Sequence, residues 1–275
     1  MTLFRRPLLR QPWPRRFTAA LAGLALGLAS VATAAQTLER VRGSSTLRVC
    51  IWPDYYGITY RNPRTGVLGG IDIDLAGELA QELGVRLEYV ESSFPQLVAD
   101  VNGGRCDVAM FAVGMLASRK EQLAFTEPYL QSDIYGVTTR ASRTVRQWSD
   151  IDQPGVVVAV QAGTFMEPVM RDALKQARMV VIRPPATREH ELEAGRVDVF
   201  MTDYPYSRRL LDNADWARLV APPRPFYVLP YGYAVKRGDE RWLARMDEFV
   251  AAIKRDGRLL AAARRHGLAD IVVAR

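Results

Sequence analysis

Arg119 and Lys120 stand just ahead of an apolar segment that ends in Glu127-Pro128-Tyr129, within the stretch "GMLASRKEQLAFTEPYL". A guanidinium fixed at the edge of a buried strand is suited to receiving an anion, because its planar fork of N–H groups matches a carboxylate through two parallel hydrogen bonds. The alternative is that Arg119 extends into solvent from the start of a helix, as most surface arginines do. This stretch alone leaves both interpretations open.

Residues that would support catalysis or metal binding are sparse elsewhere. The two histidines, His190 and His266, lie in charged, helix-like segments with no cysteine or carboxylate at metal-ligand spacing, so no metal site is expected. Asp72 and Asp74 are predicted to favour the start of a helix rather than to form a catalytic pair. The sequence has no Gly-x-Ser-x-Gly elbow and no Walker loop, and we expect no cofactor.

The elements that must position these side chains alternate between strands and helices. The segments "LRVCIW", "RLEYVE" and "CDVAMFAV" are predicted as strands, separated by helices in "GGIDIDLAGELAQELGV" and "SFPQLVADVNGG". A second set follows, with strands in "GVVVAVQAGT", "MVVIRP" and "VDVFMTD" and helices in "MEPVMRDALKQA" and "TREHELEAGR". This alternation is typical of βαβ units and predicts an α/β fold with mostly parallel sheets.

The direction of the chain is predicted to change near residue 133, which gives two lobes joined by a hinge with a cleft between them. Lobe 1 comprises residues 36–132 and 234–275, and lobe 2 comprises residues 133–233. The strand "YGYAVKRG" and one long helical stretch, "ERWLARMDEFVAAIKRDGRLLAAARRHG", return the chain to lobe 1. The segments "LVADVNGGRCDVAMFAV" and "HELEAGRVDVFMTDY" share a helix end, Gly-Arg, an aspartate and an apolar strand, which indicates two similar lobes.

Residues 1–35 have the three parts of a secretory signal peptide: an arginine-rich start, an apolar run and small residues before a cleavage point after Ala34 or Ala35. An uncleaved anchor is the alternative, and Sec and Tat export are both open. Removing the five arginines of this segment from a net charge of +7 leaves +2, so the basic balance is no argument for nucleic-acid binding. The remaining chain is predicted to be a periplasmic protein.

Two cysteines, Cys50 and Cys106, fall in segments predicted as strands. Export to an oxidising compartment favours a disulfide. One cysteine is late in its strand and the other early, however, so their Cα atoms could exceed the separation of about 7 Å that a disulfide tolerates. A disulfide and two buried thiols are both open.

The segment from "GGIDIDLAGELAQELG" through "FTEPYLQSDIYGVTT", with "VQAGT" and "AGRVDVFMTD" further on, resembles the periplasmic solute-binding proteins of the amino-acid type, extracellular solute-binding family 3. The resemblance covers nearly all of the chain after residue 35. It implies a two-lobed type II periplasmic-binding-protein fold and a monomer. It also implies capture of an amino acid or a related small carboxylate, aromatic ones included, for delivery to an ABC permease.

The resemblance also assigns roles to individual residues. Arg119 would bind the carboxylate of the ligand, and Asp203 from the other lobe would receive its ammonium group. Tyr55 would stack an aromatic ring on the ligand, while the loop at Thr164 and Phe165 would offer backbone N–H groups and a hydroxyl. Thr164 has a second interpretation, as the N-cap of the helix that follows.

The segment before the arginine departs from the family pattern, because Phe111, Gly114 and Leu116 stand where the family places small hydroxyl residues. The Gly114 backbone N–H would remain for a carboxylate. Together with Phe111, the rings of Trp52, Tyr55 and Phe94 would make the cleft aromatic, which favours an apolar or ring-bearing ligand. Alternatively, these rings pack between strand and helix and do not reach the ligand.

Two other functions are compatible with the resemblance. Cyclohexadienyl dehydratases, which act on prephenate or arogenate, are similar in "DIDQPGVVVAV", "ALKQARMVV" and "FMTD", and their catalytic acid falls on Glu167. Periplasmic accessory proteins of quinoprotein dehydrogenases share the "RVC" and "RCD" cysteine placements and would bind a protein. Our prediction is a binding protein and not an enzyme, with these two functions as alternatives.

Overall fold

A computed structural model describes residues 36–274, so the predicted signal peptide lies outside the described residues. The helices are α1 (Gln36–Ser44), α2 (Ile71–Leu83), α3 (Leu97–Asn102), α4 (Ala117–Lys120), α5 (Met166–Ala173), α6 (Arg188–Glu193), α7 (Tyr204–Asn213), α8 (Glu240–Asp256) and α9 (Arg258–Arg265). The strands are β1 (Thr46–Ile51), β2 (Asp54–Tyr55), β3 (Thr59–Arg61), β4 (Leu68–Gly69), β5 (Arg86–Glu91), β6 (Val108–Gly114), β7 (Leu123–Phe125), β8 (Leu130–Ser132), β9 (Ile134–Thr139), β10 (Val157–Gln161), β11 (Arg178–Ile182), β12 (Val199–Asp203), β13 (Ala217–Val220) and β14 (Leu229–Lys236). Within this range no helix is long and apolar enough to cross a membrane.

Two large sheets carry the fold. The first has the order β5-β1-β6-β14-β7, with β8 also paired to β14, and the second has the order β11-β10-β12-β9-β13. In each sheet a central strand, β6 or β12, is buried at every position, which explains why both read as continuous apolar runs. A small antiparallel sheet of β2, β3 and β4 lies beside them. The predicted α/β class is confirmed.

The sheets are mixed, which corrects the prediction of mostly parallel ones. Strand β1 is parallel to β5 and β6, and β10 is parallel to β11 and β12, as the βαβ units require. Strand β9, which opens the second sheet, runs antiparallel to β12, and β14, which returns to the first sheet, runs antiparallel to β6. The chain passes between the sheets at the edge where β6 and β12 end, so a strand that enters there must run the opposite way.

Helix α2 shows how the sequence pattern fixes an element. Its buried residues include Ile71, Leu75 and Leu79, which recur at helical spacing and pack towards the core. The helix ends at Gly84, whose left-handed φ of 65° suits a residue without a side chain. Asp72 lies in the first turn of α2, as predicted, but does not cap the helix, because its carboxylate is fully buried and accepts hydrogen bonds from other elements.

The predicted long C-terminal helix is divided at Gly257, which takes a left-handed φ of 86° and separates α8 from α9. Helix α8 is capped by Asp239, whose side chain accepts the N–H of Trp242. Helix α8 packs on β14 of the first sheet and α9 packs on α2, and their buried residues include Trp242, Phe249 and Leu259. A glycine that ends one helix and starts the next is invisible to a pattern of apolar spacing alone.

Cys50 and Cys106 form a disulfide with a Cα–Cα distance of 5.5 Å. Cys50 lies in β1 opposite Ala109 of β6, three residues beyond Cys106 in the sequence. Cys106 belongs to the turn before β6 rather than to the strand, and this turn bends back over β1, where Asp107 donates its N–H to the Arg48 carbonyl at 2.8 Å. This bend brings Cys106 within disulfide distance of Cys50. Two straight strands with the same three-residue offset would hold the two Cα atoms too far apart.

Candidate functional site

Arg119 is positioned by the short helix α4, which follows directly after β6. Its side chain is only 7% exposed, and its Nη1 donates to the Gly114 carbonyl at 3.0 Å while Nη2 donates to the Gly163 carbonyl at 2.7 Å. The guanidinium also stands over the Phe94 ring, 5.2 Å from its centroid. Burial lowers the pKa of Arg119 to about 10, so it is still a cation at neutral pH. The interpretation of Arg119 as a solvent-extended side chain is therefore wrong.

Asp203 ends β12 and caps α7, and its side chain is fully buried. Its Oδ2 accepts hydrogen bonds from the hydroxyls of Tyr55 and Tyr231, the latter at 2.7 Å, and its Oδ1 accepts the N–H of Tyr206 at 3.3 Å. Burial raises the pKa of Asp203, and the two tyrosine hydroxyls lower it in part. Burial and then the Asp203 charge raise the pKa of both tyrosines, which therefore stay protonated and donate.

A narrow cavity of about 10 Å³ lies where the two sheets meet, so a solute could enter only after the two sheets move apart. Six of the nine predicted site residues line it: Trp52, Tyr55, Phe94, Thr164, Phe165 and Asp203. The rings of Trp52, Tyr55 and Phe94 contact one another in tilted or edge-on pairs with centroids 5.3–5.9 Å apart. The predicted aromatic wall thus exists, and these rings pack together while facing the cavity.

The other three predicted residues lie behind this wall. Phe111 packs its ring against Phe94 with centroids 5.1 Å apart, and the Gly114 carbonyl accepts from Arg119. Arg119 does not line the cavity and reaches it through Phe94. The structure therefore brings Asp203 and the aromatic residues to the cavity surface and holds the arginine one layer further back.

The loop after β10 joins the two halves of the site. Gly163 has a left-handed φ of 74°, and a side chain there would come within 2.8 Å of the Pro95 nitrogen. Only glycine permits this close approach, and its carbonyl is the group that Arg119 contacts. Thr164 donates its hydroxyl to the Gln161 carbonyl at 2.7 Å and does not cap α5, so the N-cap interpretation is wrong.

Five cavity residues were not predicted: Ala112, Met166, Arg188, Thr202 and Tyr206. Ala112 has a left-handed φ of 49°, held by the Asp72 carboxylate that accepts its N–H at 2.9 Å. Arg188 and Thr202 are buried, and each has a polar side-chain atom with no partner among residues 36–274. The segment around Arg188 reads as a charged surface helix, so its sequence gives no signal of burial.

Glu167, the predicted acid of the dehydratase alternative, does not line the cavity. Its Oε1 pairs with Arg171 at 3.0 Å, its Oε2 accepts the Gly163 N–H at 2.9 Å, and its side chain is 21% exposed. Its neighbour Met166 takes the cavity position instead. The Glu167 carboxylate is therefore held by Arg171 and the Gly163 N–H outside the cavity.

The family model for bacterial extracellular solute-binding proteins, family 3, matches residues 47–269. The chain belongs to this family. This confirms the predicted resemblance, and with it the general prediction of a solute-binding protein. The description of the family as extracellular agrees with the predicted export.

The part of the chain that the structure describes contains no cluster of side chains suited to a metal ion.

Relatives of this family 3 protein include both an enzyme and binding proteins. Cyclohexadienyl dehydratase of Pseudomonas aeruginosa (strain PAO1) is 35% identical over 83% of this chain and 88% of its own. The L-cystine-binding protein TcyJ of Escherichia coli (strain K12) is 24% identical over 85% of this chain and 87% of its own. The crystal structure of the ancestral amino acid-binding protein AncCDT-1, a precursor of cyclohexadienyl dehydratase, is 27% identical, with a TM-score of 0.76 over 84% of this chain and 99% of that one.

Proposed function

We propose that this protein captures a small carboxylate-bearing solute, an amino acid or an aromatic relative, in the cavity between its sheets. The solute would be passed to an ABC permease in the inner membrane, with the protein acting as a periplasmic monomer. The similarity to L-cystine-binding protein TcyJ supports this, as does the likeness to the ancestral amino acid-binding protein.

One observation carries the proposal. Behind the Phe94 ring on one side of the cavity Arg119 is a buried cation, and on the other side Asp203 is a buried acid; neither forms a salt bridge with a side chain that the structure describes. A buried charge without a counter-charge is costly, so such groups are retained where a ligand pairs with them. A zwitterion would pair with both, its carboxylate on Arg119 after a shift of the Phe94 ring.

The two sheets are proposed to belong to two lobes, residues 36–132 with 234–275 and residues 133–233, that close on the solute. In support, strands β1 to β8 and β14 belong to the first sheet or the small sheet beside it, whereas β9 to β13 form the second. The predicted second boundary, between residues 233 and 234, falls inside β14, whereas the chain crosses between β13 and β14, because Leu229 already pairs with Ser132 of the first sheet. Contacts of Asp203 with Tyr55 and of Arg119 with Gly163 join the two halves and would re-form or rearrange around a ligand.

A thermal-shift screen over amino acids and organic acids tests the proposal. A ligand at one hundred times its dissociation constant adds about 2.7 kcal/mol to the free energy of unfolding. Arg119→Ala and Asp203→Asn should each abolish the shift, whereas Arg64→Ala, which changes an exposed loop arginine, should leave it intact. A full shift with a carboxylate ligand in the Arg119→Ala variant would overturn the site.

Dehydratase activity is a second candidate, favoured by the 35% identity to cyclohexadienyl dehydratase. The position of Glu167 outside the cavity lining argues against it. Incubation of the purified protein with prephenate or arogenate distinguishes a dehydratase from a binding protein, because the dehydrated products absorb in the ultraviolet. Product formation that is lost in Glu167→Gln would establish the enzyme. The predicted accessory role with a quinoprotein dehydrogenase stays a prediction, for which a pull-down with such an enzyme is the test.

A further inference from the structure

Arg188 is the second buried guanidinium of this region. It begins helix α6, is 3% exposed, and stands over the rings of Tyr206 and Phe200, at 4.6 and 5.2 Å from their centroids. Its Nη1 donates to the Met201 carbonyl at 2.8 Å, but its Nε is buried without a partner within residues 36–274. It forms no salt bridge with the side chains that the structure describes, and its charge is stabilised by a carbonyl, two ring faces and the nearby buried Asp203.

Thr202 supplies a second unsatisfied group on the same wall of the cavity. Its side chain is fully buried, and its Oγ1 has no hydrogen-bond partner in the described chain. Leaving a buried hydroxyl unpaired destabilises the folded state, so a strand interior that only needed to pack would favour valine here. A guanidinium N–H and a hydroxyl that face one cavity form a donor pair suited to an oxyanion.

Neither of the neighbouring acids, Asp203 and Glu189, accepts a hydrogen bond from Arg188 Nε or Thr202 Oγ1. Asp203 is near enough for the Arg188 charge to lower its pKa, but its Oδ2 is occupied by two tyrosine hydroxyls. Glu189, the next residue of α6, accepts the hydroxyl of Tyr206 at 2.7 Å. Arg188 and Thr202, which both line the cavity, therefore each keep a donor that no described residue satisfies.

We propose that Arg188 and Thr202 form an anion-binding subsite, and that the solute carries a second acidic group in addition to the carboxylate that Arg119 receives. This rests on the proposed function and narrows its ligand to solutes with two acidic groups, such as acidic amino acids and dicarboxylates. A monocarboxylate would leave the Arg188 charge uncompensated in the closed cavity. The preference for a solute with two acidic groups over one with a single acidic group would therefore come from Arg188 and Thr202.

Matched pairs of probes that differ only in the second group test the subsite. L-glutamate is compared with L-glutamine, and 4-carboxy-L-phenylalanine with 4-carbamoyl-L-phenylalanine, by calorimetric titration of the purified protein. In at least one pair the acid should bind at least tenfold more tightly than its amide. Arg188→Met should reduce this preference to less than threefold, and Arg188→Lys should retain part of it.

Thr202→Val separates ligand binding from folding. The variant should be at least as stable as the wild type without ligand, since it removes an unpaired buried hydroxyl, and should bind the acid several-fold more weakly. The controls are Arg218→Met, which changes an arginine whose Nε is likewise unpartnered but which lies away from the cavity, and Thr138→Val, whose hydroxyl donates to the Asp198 carbonyl. Neither control should alter the preference for the acid.

Two results would overturn the subsite and leave the proposed function standing. One is equal binding of acid and amide by the wild type, and the other is an unchanged preference in Arg188→Met or, if that variant does not fold, in Thr202→Val. Failure of all four probes to bind would count against the subsite and the proposed function together.

Discussion

Replacing Asp72 with asparagine should remove the loss in free energy of unfolding that the buried Asp72 carboxyl group causes as the pH rises. Asp72 is fully buried in α2, and its Oδ2 accepts the hydroxyl of Tyr129 at 2.6 Å and the N–H of Ala112 at 2.9 Å. Its Oδ1 accepts from Tyr233 at 3.2 Å. An asparagine can direct its oxygen to Ala112 and Tyr129 and its NH₂ to the Tyr233 hydroxyl, so the geometry is retained and the charge is lost.

The magnitude follows from the pKa. Burial raises the pKa of Asp72 from 3.8 to about 7, although three hydrogen bonds oppose it. Because the folded state holds this proton more tightly than the unfolded chain, stability falls as the pH rises between the two values. At about 1.4 kcal/mol per pKa unit, the wild type should lose about 3 kcal/mol relative to Asp72→Asn between pH 4.5 and pH 8.

Urea unfolding of both proteins at several pH values measures this difference, and subtraction removes the titration of all other groups. Asp74→Asn is the matched control, since it changes a partly exposed carboxylate of the same helix that pairs with Arg265 at 2.9 Å. Its difference from wild type should stay within about 1 kcal/mol. A constant difference between wild type and Asp72→Asn from pH 4.5 to pH 8 would refute the reasoning.

Three further variants test the site and its support. Arg119→Lys places an amine of ordinary pKa near 10.4 where burial lowers the arginine pKa to about 10, so the lysine pKa should fall towards neutrality. Its free energy of unfolding should therefore rise relative to wild type between pH 7 and pH 9.5, and parallel curves would contradict this. Replacing Cys50 and Cys106 with alanine opens a loop with a sequence separation of 56 and should cost about 4 kcal/mol in denaturant unfolding, a loss that reduction of the wild type should reproduce. Tyr231→Phe removes a 2.7 Å hydrogen bond to Asp203 and should cost roughly 1.5–3 kcal/mol, whereas an unchanged urea midpoint would mean that this bond contributes nothing.

The order of strands and helices was predictable because apolar periodicity reports burial directly. The roles predicted for Arg119 and Asp203 came from the resemblance to the solute-binding family rather than from periodicity. Arg119 follows β6 and Asp203 ends β12, and both are buried in the structure. The direction of β9 and β14 was not predictable, because it depends on where the chain crosses between the sheets rather than on the composition of either strand.

Burial of Arg188 could not be inferred from its neighbours in the sequence. Helix α6 reads "REHELE", and only the packing of its first residue between Phe200 and Tyr206 removes that residue from water. The same holds for Thr202, which looks like any strand threonine until the atoms around its hydroxyl are known. Sequence patterns report which residues are apolar, whereas an unpaired polar atom is defined by partners that are missing in three dimensions.

In the described part of the chain, the positive charges at the cavity exceed the negative ones. Arg188 lines the cavity and Arg119 lies behind the Phe94 ring, whereas Asp203 is the buried acid among the lining residues. The excess is positive whether Asp203 is charged or protonated, and a neutral or zwitterionic solute does not remove it. A solute with a net negative charge does, and this charge balance makes an anion the expected occupant independently of the placement of any single hydrogen bond.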